Sequence, residues 1–177
     1  MYPDNSLTPK EATRLCGLGI LMGGSCPYAE LAQAIRAHIT AVTGPSLEMM
    51  GTSIELLRYE GLVSAEDPEG RNIISITGKG RVEFETLMMA NLRDSDSEFS
   101  RLVISLKFRF LKLMNPSQRL AQLDLLSERT ERDLDRLTAL RGSFASEGRF
   151  FTDWVEKEIS LSEQRLEWLE SLRGDMG

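Results

Sequence analysis

The chain has 177 residues, with 27 Asp plus Glu against 21 Lys plus Arg and a formal net charge of −6. Its 41% hydrophobic and 27% charged residues argue against disorder and provide for one sizeable core or two small ones. A pI near 5.0 is the wrong sign for attraction to phosphate as a whole, and a single histidine, His38, argues against a multi-histidine metal site.

Thr8-Pro9-Lys10-Glu11 reads as a helix start: Thr8 caps, Pro9 takes the first helical position and Glu11 closes a capping box. Ala12, Leu15, Cys16 and Gly19 follow at helical spacing until Gly23-Gly24. Pro27 opens a second helix, with Leu31, Ile35 and Ile39 in an apolar stripe ending before Gly44-Pro45. Ser46 caps a third, with Met50, Ile54 and Leu57 on one face and Gly61 as terminator. The period then changes. Leu62-Val63-Ser64-Ala65 and Ile73-Ile74-Ser75-Ile76 flank the turn Asp67-Pro68-Glu69-Gly70, which predicts a β-hairpin. Thr77 caps a fourth helix carrying Val82, Phe84, Leu87 and Met88. Three helices, a hairpin and a helix in this order make a winged helix-turn-helix domain.

The remainder reads as helical. Residues 97 to 114 carry Phe99, Leu102, Val103, Leu106, Phe110 and Leu113, and Asn115-Pro116 breaks that helix. A long helix follows with Leu120, Leu123, Thr130, Leu134 and Leu137 close to a heptad seam. After a turn from Gly142 to Gly148, the last helix sets Trp154, Leu161 and Trp168 beside Val155, Ile159, Leu166 and Leu169. So wide a stripe exceeds what one helical hairpin covers, and a second copy of the chain is its simplest cover. The expected fold is mostly α with a small β hairpin. A winged helix-turn-helix domain spans 7–92 and an α-helical dimerisation region spans 97–173, with Leu134, Leu137, Trp154, Leu161 and Trp168 in the homodimer interface.

Three stretches carry a resemblance. Ser46-Leu47-Glu48-Met49-Met50-Gly51-Thr52-Ser53-Ile54-Glu55-Leu56-Leu57-Arg58-Tyr59-Glu60-Gly61-Leu62-Val63 has the length and apolar spacing of a recognition helix running into a first wing strand. Ile74-Ser75-Ile76-Thr77-Gly78-Lys79-Gly80-Arg81 matches a strand-to-helix junction, and Pro27-Tyr28-Ala29-Glu30-Leu31 matches the opening of a second helix. Together they resemble PadR-type transcriptional regulators. The resemblance implies a dimeric DNA-binding transcriptional regulator, open to control by a small-molecule effector or a protein partner. Its operator, on double-stranded DNA, would be recognised by helix 46–60 and wing 62–76.

The departures from that family are specific. Gly51 stands where the family usually has Tyr, no Lys or Arg occurs between Arg36 and Arg58, and Glu48 and Glu55 lie in the reading helix. Base readout most often uses Arg, Lys, Asn or Gln. Here Ser46, Met49, Thr52 and Ser53, with the acidic Glu48, are offered on the face away from Met50, Ile54 and Leu57. Phosphate contacts fall to Arg36, Arg71, Asn72, Lys79 and Arg81. The second reading is a winged-helix protein-interaction module that turns its acidic helix against another protein.

Other features have plainer readings. Cys16 lies on an apolar face, while Cys26, ahead of Pro27, is the candidate for a redox-sensing thiol. Gly17-x-Gly19 lies within a helix and follows no strand, so a dinucleotide loop fails its context. Arg101, Arg109 and Lys112 share a helical face with Ser105. That face reads as solvated or ion-paired, with a second phosphate-contacting strip as the alternative. Trp154 and Trp168 read as core packing, with an effector pocket between subunits as the alternative. Any nucleophilic triad would need His38 and has no elbow to sit on, so neither an enzyme nor a cofactor is expected. The longest stretch free of charged residues, Leu15 to Ala29, contains four glycines and a proline and is too short to span a bilayer. Met1-Tyr2-Pro3-Asp4 does not lead into an apolar run, and two cysteines suit a reducing compartment. A cytoplasmic protein without a membrane partner is expected.

Overall fold

The computed structural model describes residues 1–44, 54–66, 71–93, 97–144 and 148–175. Two compact units contain them, Met1–Met114 and Asn115–Gly177.

In the first unit, α1 (Pro9–Leu21) starts with the capping box its sequence dictates: Glu11 N donates to Thr8 Oγ1 at 3.3 Å and Thr8 N to the Glu11 carboxylate at 2.9 Å. Ala12, Leu15, Cys16, Leu18 and Leu21 are buried, so this helix is wrapped on most sides. Gly19 is there for space: a Cβ would stand 2.5 Å from the Phe110 ring. α2 (Tyr28–Thr43) begins at Pro27 and buries Leu31, Ile35 and Ile39. α3 (Ile54–Tyr59) buries Ile54 and Leu57. The expected start of that third helix, from Ser46 through Glu48, Met49, Thr52 and Ser53, lies outside the described residues, as does the turn Asp67–Gly70.

β2 (Val63–Glu66) pairs antiparallel with β3 (Ile73–Ile76), Val63 opposite Ile76 and Glu66 opposite Ile73. A further strand, β1 (Cys26–Pro27), pairs with the other edge of β3, giving the order β1-β3-β2 rather than a bare hairpin. Two residues are too few to show a period, which is why the sequence pattern did not reveal β1. α4 (Gly78–Met88) follows Thr77 and buries Phe84, Leu87 and Met88. Val82, read as one of the apolar residues of this helix, is 66% exposed, because it lies two positions from Phe84 and such positions do not share a face.

The largest departure concerns α5 (Glu98–Phe110). The sequence reading grouped it with the C-terminal helices, but it packs against α1 and α2. Leu102, Val103, Leu106 and Phe110 are buried there, and the Phe110 ring meets Phe84 edge-on at 6.0 Å. The first unit thus extends to Met114 instead of ending near residue 92. Apolar spacing shows that a helix has a face to bury, not which neighbour covers it. The N-terminal residues are clipped to the segment between α4 and α5. Asn91 N donates to Asn5 O at 3.0 Å, Arg93 Nε donates to Ser6 Oγ at 3.0 Å, and the Arg93 guanidinium lies 3.6 Å over the Tyr2 ring.

In the second unit, α6 (Pro116–Ser143) and α7 (Arg149–Gly174) pack along each other. Asn115, read from sequence only as a break, caps α6 through a box with Gln118. Ion pairs Arg141–Glu156 (3.2 Å) and Arg173–Asp124 (3.0 Å) join opposite ends, so the two helices run antiparallel. Their seam buries Leu123, Leu126 and Thr130 against Val155, Ile159, Ser162 and Leu169. Trp154, Leu161 and Trp168 stand 50%, 43% and 48% exposed. Core packing within one chain is therefore the wrong account of these tryptophans. The seam repeats at 155, 159, 162 and 169, and the tryptophans fall one position outside it.

Candidate nucleic-acid interface

The sequence terminates α3 with glycine, and the structure gives the reason. Gly61 has φ of +71°, Gly61 N donates to Arg58 O and Leu62 N to Leu57 O, both at 2.9 Å. This is a Schellman motif, which only a residue at ease in the left-handed region closes cheaply. Three carbonyls then face outward at the helix end, and the Thr77-Gly78-Lys79-Gly80 junction takes all three. Lys79 Nζ donates to Glu60 O at 2.9 Å. The Thr77 hydroxyl reaches Gly61 O at 2.8 Å and Leu62 O at 3.0 Å, while Thr77 N donates to Leu62 O at 3.1 Å. The same hydroxyl accepts from Gly80 N at 3.0 Å and so caps α4. A Cβ on Gly80 would lie 2.1 Å from the Leu62 oxygen. The junction is thus a clasp holding the end of α3 against the start of α4.

A second fastening uses side chains alone. Arg14 of α1 donates from Nη2 to the Glu60 carboxylate at 2.9 Å and from Nη1 to Glu83 of α4 at 2.8 Å. Its side chain is only 19% exposed. Sequence reasoning missed this group. The available signal was a lone arginine inside the otherwise apolar run of α1.

Beside α3, the sheet forms the wing. Asn72 adopts φ of +44°, which asparagine tolerates better than most residues, and its carbonyl accepts from Tyr28 N at 3.0 Å. Ser25 and Ser75 hydroxyls meet at 2.7 Å between β1 and β3. Of the residues picked from sequence, Arg36 on α2, Arg71 and Asn72 before β3, and Lys79 and Arg81 on α4 are all exposed. Lys79 spends one of three N–H donors on Glu60 O. The Arg81 guanidinium makes a 3.4 Å contact to the Met22 sulfur, a weak acceptor. Ser46, Glu48, Met49, Thr52 and Ser53 lie outside the described residues. On α3 itself, Glu55, Leu56, Arg58 and Tyr59 are exposed, with Arg58 and Glu55 3.9 Å apart.

Three titratable groups support the unit rather than chemistry. Lys107 on α5 is fully buried and donates to Met88 O at 2.6 Å and Ala90 O at 2.7 Å, closing the C-terminal end of α4. Burial pushes its ammonium down to about 7. His38 lies 3.1 Å from Ser105 Oγ, joining α2 to α5, and burial with the nearby Arg109 lowers its pKa. Ser105 therefore faces α2, whereas Arg101, Arg109 and Lys112 are exposed. Burial and then Glu30 raise the Cys26 thiol, which disfavours the thiolate that a redox sensor needs. Among the described residues no group of three His, Cys, Asp or Glu side chains could hold a metal, and no helix is long and apolar enough to cross a membrane.

A family model described as "Putative AphA-like transcriptional regulator" matches residues 2–173. No curated protein matches the chain. Among solved structures, it is similar to PadR of Bacillus subtilis in complex with operator DNA, at 16% identity over 96% of this chain and 100% of that one, with a TM-score of 0.41. It is also similar to the same regulator in complex with p-coumaric acid, at 14% identity over 93% of this chain and 98% of that one (TM-score 0.39). The PadR-like transcriptional regulator BC1756 from Bacillus cereus is similar at 18% identity over 93% and 97% of the two chains (TM-score 0.39).

Proposed function

We propose that this chain, which belongs to the AphA-like family of transcriptional regulators, binds duplex DNA as a homodimer through its winged-helix unit. The family is one of regulators, not of enzymes. The observation that carries the reading is the fastening of the α3 end, by backbone and by side chains, beside an exposed wing. A helix held this firmly can be offered to a groove as a rigid body. In this reading Ser46, Glu48, Met49, Thr52 and Ser53 meet base edges, and Arg36, Arg71, Asn72, Lys79 and Arg81 meet phosphates. The dimer forms through α6 and α7, with Leu134, Leu137, Trp154, Leu161 and Trp168 at its centre. The half-exposed tryptophans support this, because a partner copy would bury them. An effector or a partner protein would act by changing the spacing of the two heads.

Salt dependence tests the reading. Each phosphate contact on B-form DNA contributes about 0.9 to the logarithmic salt slope, so three or four per head predict roughly −5 to −7 for two heads. Arg71→Ala should flatten that slope by about 2 per dimer and weaken binding to all sequences alike. A folded dimer that binds no duplex at low salt refutes DNA binding and puts the protein-interaction module in its place.

A further inference from the structure

We propose that Arg14 is a positioning residue for the reading helix, setting the direction of α3 and through it the choice among DNA sequences. The proposal rests on the DNA-binding reading above. In this role Arg14 acts through two carboxylates rather than on DNA itself. It spans from α1 to Glu60, the residue directly after α3, and to Glu83 on α4. Its planar fork suits two carboxylates at once, which a lysine ammonium cannot match in geometry.

The backbone clasp already supplies the helix end with hydrogen bonds, so termination does not need Arg14. The clasp fixes a point: the carbonyls of Glu60, Gly61 and Leu62. The buried Ile54 and Leu57 also hold α3 to the core, but apolar contact is non-directional and still allows a pivot about the fixed end. Arg14 adds a tie from a different element, α1, whose neighbouring residues Leu15 and Cys16 are fully buried. The sequence predicts that the reading helix runs over 46–60. At 1.5 Å per residue, positions 46 to 52 would lie about 12 to 21 Å from Glu60. A pivot of about 5° at that distance displaces them by about 1 to 2 Å, enough to break base-edge hydrogen bonds. Long, flexible arginines on phosphates tolerate such a displacement. Loss of the tie should therefore erode discrimination while sparing non-specific affinity.

The double variant Arg14→Gln/Glu60→Gln cuts the tie without changing net charge. It would be compared with the wild type on a duplex selected from a random library and on a scrambled duplex of equal length. Expected is a loss of about tenfold in the affinity ratio, the worth of one good base contact, with an unchanged salt slope on the scrambled duplex. Arg14→Lys should restore part of the ratio. Should the double variant fail to fold, Glu60→Gln alone, which leaves Arg14 paired with Glu83, provides the affinity ratio; its net gain of one positive charge per subunit acts on both duplexes alike, so only the ratio is compared. An unchanged ratio in a folded variant refutes the positioning role alone, as does an equal loss on both duplexes. A wild type that binds neither duplex removes the DNA reading, and this role with it.

Discussion

Lys107→Met probes the buried cation of the first unit. In the wild type the ammonium donates to Met88 O and Ala90 O, and burial pushes its pKa down to about 7. An unfolded lysine titrates near 10.4. Between these values the unfolded chain holds a proton that the folded chain has shed, so stability rises with pH across the window and is lost as pH falls towards 7. From pH 7 to 8.5 the rise is roughly 1.5 kcal/mol, taking a folded pKa of about 7. Neighbouring titrations bound the window. His38, lowered by burial and Arg109, acts below its ordinary range, and Cys16, pushed by burial to about 11, erodes stability where unfolded thiols ionise. Methionine abolishes the lysine titration. It also removes a donor from two carbonyls, at about 1–3 kcal/mol for each group left unsatisfied, offset by no longer burying a cation. The sharp observable is therefore the pH dependence of the difference between the two proteins. Urea unfolding at pH 7 and 8.5, with equal m-values, should show the wild type gaining roughly 1.5 kcal/mol on the variant. A difference that stays flat or falls refutes the assignment of a depressed pKa to this cation.

Gly19→Ala would place a methyl 2.5 Å from the Phe110 ring and should cost about 1–3 kcal/mol in thermal unfolding; an unchanged midpoint would mean the ring turns aside freely. Gly80→Ala meets backbone instead, 2.1 Å from the Leu62 oxygen, and should cost more than Gly19→Ala, a ranking that the same experiment checks. Trp154→Glu combined with Trp168→Glu should keep helical content by circular dichroism but sediment as a monomer, since both rings are half-exposed in one chain; a persistent dimer would place the interface elsewhere.

Local chemistry was the legible part of the fold. Thr8 with Glu11, Thr77 and the Gly61 stop are readable because a cap is made by residues within a few positions of one another. Partner choice was not legible. α5 shows a clean apolar face, and nothing in its spacing says that α1 and α2 cover it. Lys107 was missed for a related reason: it occupies a core position of α5, but its partners are carbonyls of another helix, which leave no mark in side-chain pattern. Arg14 is the same case within the candidate site. Arg71 and Asn72 could be placed next to β3 from sequence because they stand between a turn signal, Asp67 to Gly70, and the β-prone run from Ile73. The Trp154, Leu161 and Trp168 stripe was visible as excess apolar width, and its exposure in the single chain is the structural form of that excess.

The position of α5 also changes the electrostatic argument. Split near residue 90, the chain gives its first part 7 basic and 11 acidic residues, net −4, and leaves −2 for the rest. That distribution sets the heavier negative charge on the proposed DNA-binding part. The structural boundary at Met114 reverses it. Residues 1–114 hold 12 Lys plus Arg against 14 Asp plus Glu, net −2, and residues 115–177 hold 9 against 13, net −4. The segment that moves brings Arg93, Arg101, Lys107, Arg109 and Lys112 with it. Two of the remaining carboxylates, Glu60 and Glu83, are already paired with Arg14. Most of the repulsion that duplex DNA would meet thus belongs to the unit proposed for dimerisation. An acidic chain can in this way carry a head that is close to neutral, with affinity governed by a few exposed cations and discrimination by how firmly α3 is held.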